Sequence, residues 1–131
     1  RGLGDVYKRQ IHDYIINNTK YDTANSDSKS STAYGALINH KAVCGGYADA
    51  MALFLNKFNV PNFKIASNTH VWNAVYIDSA WLHLDLTWDD PVSSSGEDTI
   101  LHKFYLIDTP SLEKYKITDH EYDKTIYEEL S

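Results

Sequence analysis

THVWNAVYIDSAWLHLDLT, residues 69–87, reads as two strands folded back on one another. Runs 69–77 and 81–87 are rich in β-branched and aromatic residues, and Asp78, Ser79 and Ala80 lie between them, so the stretch predicts a hairpin. A connection of two or four residues pairs Ile77 with Ala80, Tyr76 with Trp81 and Trp72 with Asp85. His70 is then diagonal to Asp85 on one face, at a backbone separation of about 7–8 Å that an imidazole and a carboxylate can close to a hydrogen bond. A three-residue connection would break this parity and part them. The opposite face carries Val71, Val75, Ile77, Leu82, Leu84 and Leu86, with Asn73 the one polar exception, and belongs in a core. The His70 face also holds Trp72, Ala74, Tyr76, Trp81, His83 and Thr87, an aromatic and polar set expected to line a cleft.

Upstream, Tyr47, Ala50, Met51, Phe54 and Phe58 recur at helical spacing from Cys44 until Asn59 and Pro61 end the run, which puts Cys44 at a helix N-terminus. A second amphipathic helix is expected from about Val6 to Asn18. Between them, Asp22–Thr32 is almost wholly Asp, Asn, Ser, Thr and Lys and is expected to be a mobile surface loop. Downstream, Asp89 and Asp90 before Pro91 are read as capping and turning the chain into a Ser/Gly loop at Ser93–Gly96. Phe104–Ile107 reads as a last short strand before a charged tail. Residues 1–10 (RGLGDVYKRQ) have the look of a non-native leader and carry no functional weight. Residues 11–131 are expected to form one domain, a fragment of a larger protein, since 131 residues leave room for a single core.

No apolar run approaches the roughly 18 residues of a membrane span. A net charge of −6 without a Lys/Arg-rich run offers no footprint for nucleic acid. The single cysteine rules out an intrachain disulfide and a four-thiolate zinc site. Oligomeric state leaves no trace in the sequence.

Cys44-Gly45-Gly46-Tyr47 sets a thiol where a helix begins, beside two residues without side chains. The helix dipole and unpaired N–H groups there favour thiolate over thiol, and the glycines admit a substrate carbonyl close to the backbone. An unpaired cysteine more commonly serves as buried packing; its setting makes Cys44 a candidate nucleophile. A thiolate needs an imidazole to take and return its proton and a carboxylate to fix the imidazole tautomer. Cys44, His70 and Asp85 fill those roles, while His12, His40, His83, His102 and His120 are read as surface or structural residues. His70, His83, Asp85, Asp89 and Asp90 are also nitrogen and oxygen ligands close in sequence. A helical His pair is missing and a metal would leave Cys44 idle, so we expect no metal and no cofactor.

Ile11–Ile15, Ala33–Leu37, Val43–Ala48, His70–Asn73 and His83–Pro91, taken as five ordered blocks, resemble the bacterial transglutaminase-like domain of the papain-like cysteine hydrolases. The resemblance runs from about Ile11 to Leu106. It implies an α+β fold in which the helix bearing Cys44 packs on an antiparallel sheet presenting His70 and Asp85. It also implies acyl transfer through a thioester on protein or peptide amides, in a protein exported to the bacterial surface or envelope. Relatives commonly carry Gln directly after the cysteine, where this chain has Gly45, which bears on substrate contacts. The oxyanion hole is expected to use the Cys44 N–H and an upstream donor, for which Tyr34 is the candidate, with a core tyrosine beside the helix as the alternative; Trp72, next but one to His70, is placed to shield the His–Asp bond from water, though a packing role alone would also put an aromatic there. Domains of this kind also serve as catalytically idle binding modules of surface proteins, which is the alternative function.

Overall fold

The computed structural model describes residues 2–22, 28–89 and 103–130. Its centre is an antiparallel sheet of four strands in the order β3-β4-β5-β6: β3 Asn62–Ala66, β4 Val71–Ile77, β5 Ala80–Leu84 and β6 Tyr105–Ile107. Helix α1 (Gly2–Asn17) packs on α2 (Cys44–Lys57), and α2 lies across β4 and β3. A short parallel pair, β1 (Lys20–Tyr21) with β2 (Lys41–Ala42), brings the chain to the start of α2. The single turn α3 (Leu86–Asp89) follows β5, and α4 (Thr109–Lys114) follows β6. The architecture is α+β, as expected. Helix α1 runs through residues 2–10 as well as the stretch expected to be helical.

The hairpin has the anticipated register: Ile77 pairs with Ala80, Tyr76 with Trp81, Val75 with Leu82 and Asn73 with Leu84. Asp78 (φ 54°) and Ser79 (φ 67°) are both left-handed, the signature of a two-residue turn whose twist matches that of the strands. Leu84, Leu86 and Val75 join Ile15, Met51 and Leu55 in the core between sheet and helices, as the alternation predicts. Asn73, the polar exception on that face, is buried and donates its amide to the carbonyl of Ala48 on α2 at 3.0 Å.

The other face is not the open cleft wall that its aromatic and polar pattern implies. Trp72, Ala74 and Ile65 are buried there with Phe104, Leu112 and Leu130 in a second core, against which Ile117, Tyr122 and Tyr127 pack. The tail after β6 folds back over the sheet. Its apolar residues are scattered among charged ones without a helical or strand period, which hides their inward role in the sequence.

Two further expectations need correcting. Segment Ser28–Ser31 forms a 3₁₀ turn held against α2: Ser30 is fully buried, its hydroxyl donates to Asp22 Oδ2 at 2.7 Å and its carbonyl accepts from Val43 N–H at 3.0 Å. Ser30 is buried here because its polar groups find partners, which composition cannot reveal, while Lys29, Ser31 and Thr32 stay exposed and residues 23–27 of the expected loop lie outside the described residues. Gly46 makes the approach possible, since a Cβ there would lie 2.2 Å from the Ser30 carbonyl oxygen. Strand β5 also ends at Leu84 and does not run on to Thr87: Asp85 N–H bonds the Phe104 carbonyl at 2.9 Å while Asp85 Oδ1 accepts from Trp88 N–H at 3.2 Å. The Asp85 carboxylate thus caps α3 and turns the chain out of the sheet. Strand β3 was not anticipated. Asp90, His102 and the Ser93–Gly96 loop lie outside the described residues.

Candidate active site

Cys44 is the first residue of α2, preceded by Val43 in extended conformation, so its thiol sits at the positive end of a fourteen-residue helix and is partly exposed. His70 lies one residue before β4, in a loop fixed by Ser67, whose hydroxyl oxygen accepts from His70 N–H at 3.1 Å and whose N–H donates to the His70 carbonyl at 2.8 Å. Asp85 stands where β5 gives way to α3.

The fold brings these three together. His70 Nε2 is 2.7 Å from Asp85 Oδ2, and the charged form of the Cys44 thiol is favoured by the His70 ring and by the N–H groups of Val71 and Gly45. Asp85 is fully buried; burial alone would push its pKa up, but the hydrogen bonds from His120 and His70 outweigh it and hold the carboxyl below its ordinary range. Burial likewise opposes charge on His70, yet Asp85 and Cys44 raise its pKa to about 10. For Cys44, desolvation pushes the thiol up, while His70 and the two backbone N–H groups pull it lower still, for a net shift downward. The arrangement favours a thiolate–imidazolium pair resting on an ionised carboxylate.

Trp72 is buried with its ring stacked on that of His70, centroids 5.7 Å apart and planes 19° from parallel, and its indole N–H donates to His83 Nδ1 at 3.0 Å. It closes one side of the His70–Asp85 bond with apolar surface. Tyr34, the upstream donor candidate, is half exposed, with the Lys29 ammonium 4.5 Å from the centre of its ring. Gly45 has a steric role, since a Cβ there would come within 3.0 Å of the Ser31 carbonyl oxygen. The Ser28–Ser31 turn fills the space that a side chain at this position would need.

A model of the transglutaminase-like superfamily matches residues 7–86, which hold all three residues. The chain belongs to the transglutaminase-like superfamily. Two solved structures resemble this transglutaminase-like chain in fold. One is a TGase, at 22% identity and a TM-score of 0.56, covering 69% of this chain and 29% of that one. The other is a protein from Cytophaga hutchinsonii provisionally assigned as a cysteine protease, at 22% identity and a TM-score of 0.50, covering 72% and 34%. The transglutaminase-like chain therefore spans about a third of the length of the solved structures it matches. No curated protein matches its sequence.

Sequence reasoning treated His120 as an ordinary surface or structural residue, but its Nε2 lies 2.6 Å from Asp85 Oδ2, the oxygen that His70 also uses. Nothing in the charged tail signals this, because the contact spans 35 residues and a long return of the chain. Among the described residues, the nitrogen and oxygen ligands that the sequence gathers do not assemble into one group. His83 is held between Trp72 and the Thr109 hydroxyl, and Asp89 accepts from Phe104 N–H at 2.9 Å and pairs with His12 Nε2 at 2.9 Å. Asp89 therefore ties α1 to β6, where a capping role was expected. Among the described residues His70, Asp85 and His120 do bring ligand-type atoms within 4.8 Å of one another. Their 2.6 and 2.7 Å separations are those of charge-assisted hydrogen bonds. An ion bonded to each at about 2 Å would force those atoms apart.

Proposed function

We propose that this domain is a cysteine hydrolase or acyl transferase acting on protein or peptide amides through a thioester on Cys44. The observation that carries the reading is the 2.7 Å bond from His70 Nε2 to the buried Asp85 carboxylate, on an imidazole whose interaction with the Cys44 thiol favours the thiolate. In the first half-reaction the Cys44 thiolate attacks the amide carbon. The His70 imidazolium gives its proton to the leaving nitrogen, and the C–N bond breaks to release ammonia or an amine. In the second, neutral His70 takes a proton from the acceptor as its oxygen or nitrogen attacks the thioester, and the C–S bond breaks to return Cys44 to the thiolate beside the reprotonated imidazole. Water completes hydrolysis or deamidation, and a lysine amine completes a cross-link. The Cys44 N–H at the start of α2 is the oxyanion donor supplied by the helix.

The test is iodoacetamide labelling of Cys44 across pH, in the intact chain and in His70→Ala. With the thiol shifted downward and His70 raised to about 10, alkylation is expected to persist well below the ordinary thiol range. The paired state should give way only as pH passes about 10, where His70 loses its proton. Replacing His70 should return the profile to that of a free thiol, near pH 8.5. A wild-type thiol with that ordinary profile, indifferent to His70→Ala, would leave a binding module on an inherited fold. Ammonia release from a glutamine-containing protein, with and without an added alkylamine, then separates hydrolysis from transfer.

A further inference from the structure

His120 lies beyond residues 7–86, where the family model ends, yet it reaches the centre of the site. Its Nε2 and that of His70 meet the same atom, Asp85 Oδ2, at 2.6 and 2.7 Å, while Oδ1 takes the Trp88 N–H at 3.2 Å. Because the shared acceptor is a carboxylate, each imidazole presents an N–H to it. The ring of His120 is enclosed by Trp72, Phe104 and Trp88, at centroid separations of 5.0, 5.1 and 5.6 Å. Its Nδ1 is buried with no hydrogen-bond partner among the described residues. A ring kept for packing alone would be better served by phenylalanine, which buries no polar nitrogen.

The turn that carries His120, Thr118–His120, also grips the loop that carries His70. Ser67 Oγ donates to the Asp119 carbonyl at 2.6 Å, and Thr69 Oγ1 donates to Asp119 Oδ1 at 2.6 Å. Ser67 Oγ is the same atom that accepts from His70 N–H. One turn of the C-terminal segment therefore holds both ends of the His70–Asp85 bond.

We propose that His120 is a positioning residue of the reaction centre: its Nε2–H fixes the Asp85 carboxylate on which His70 is oriented, so that the Cys44–His70 pair depends on the docked C-terminal segment. This rests on the reading of Cys44 as the nucleophile. Without the second imidazole donor, Asp85 takes up a proton at higher pH, His70 loses its ionic partner, and the thiolate is lost with it. The other titratable groups around the pair are His83 on β5, Asp89 on α3, Asp119 beside His120 and Cys44 on α2. His83, pushed down to about 4 by burial and then by the charge of His120, stays uncharged above that pH.

The experiment is the pH profile of Cys44 alkylation in the wild type, His120→Phe, His120→Gln and His70→Ala. His120→Phe keeps the ring packing without the donor, and His120→Gln offers an amide N–H near the position of Nε2. The acid limb is expected to move up by about one pH unit in His120→Phe, a roughly tenfold loss of rate at its foot, and to return in His120→Gln. A His120→Phe profile superimposed on the wild type, while His70→Ala departs from it, overturns the proposal alone. A wild-type thiol indifferent to His70→Ala overturns the nucleophile reading itself. Should His120→Phe lack the near-ultraviolet circular dichroism of the wild type, imidazole ¹⁵N–¹H spectra of the wild type decide. An exchange-protected Nε2–H on His120 that shifts when Cys44 is alkylated supports the proposal, and an unprotected or unresponsive one overturns it.

Discussion

His83 has no room to be charged. Its Nδ1 accepts the Trp72 indole proton at 3.0 Å, which needs a lone pair on that nitrogen, and burial pushes its pKa from 6.5 down to about 4. A folded-state value below the unfolded one means that the unfolded chain binds more protons between those pH values, so the contribution is intact above pH 6.5 and lost as pH falls toward 4. Urea midpoints should therefore drop on acidification through that window, by on the order of 3 kcal/mol from this residue. His83→Gln, which can still accept from Trp72, should flatten that part of the slope; an unchanged slope would place the acid sensitivity elsewhere. His12 and Asp89 form a second buried contact. Both are fully buried and joined at 2.9 Å, so His12→Ala leaves the carboxylate without its imidazole and is expected to cost about 3–5 kcal/mol in chemical denaturation.

Helix α2 and the Ser28–Ser31 turn constrain each other at Gly46. Alanine would gain about 1 kcal/mol of helix propensity. Its Cβ, however, would lie 2.2 Å from the Ser30 carbonyl oxygen and 2.8 Å from the Ala42 Cβ, and the carbonyl is anchored by Val43 N–H. The clash should win: Gly46→Ala is expected to be destabilising by about 2 kcal/mol in urea titration. A raised midpoint would show that the turn yields freely. The β4–β5 connection carries the opposite kind of strain, since Ser79 adopts φ 67° with a side chain attached. Ser79→Gly is expected to raise stability by about 0.5–1 kcal/mol, read from the same titration, with no change in the alkylation of Cys44.

Among the described residues there are two cores, one on each face of a four-stranded sheet, and the second is completed by the segment after β6. A chain ending at Asp108 loses Leu112, Leu130 and the ring of His120, and uncovers Trp72, Ile65 and Ala74. Such a truncation should bind a hydrophobic dye and lose a sharp unfolding transition, and its Cys44 should alkylate as an ordinary thiol. A truncated chain that kept the wild-type transition would mean that the first core suffices.

The hairpin, the helix beginning at Cys44 and the inward aliphatic face were legible in the sequence because each is a local, periodic pattern with a turn or a cap at its end. Whether His70 and Asp85 share a face hung on the length of the connection, which the sequence left open between parities and the two-residue turn decided. The burial of Ser30, the return of the tail over Trp72 and the second imidazole on Asp85 were decided only by tertiary structure. Each depends on contacts between segments far apart in the chain, where no period links the partners and polar groups go inside only because another segment meets their hydrogen bonds.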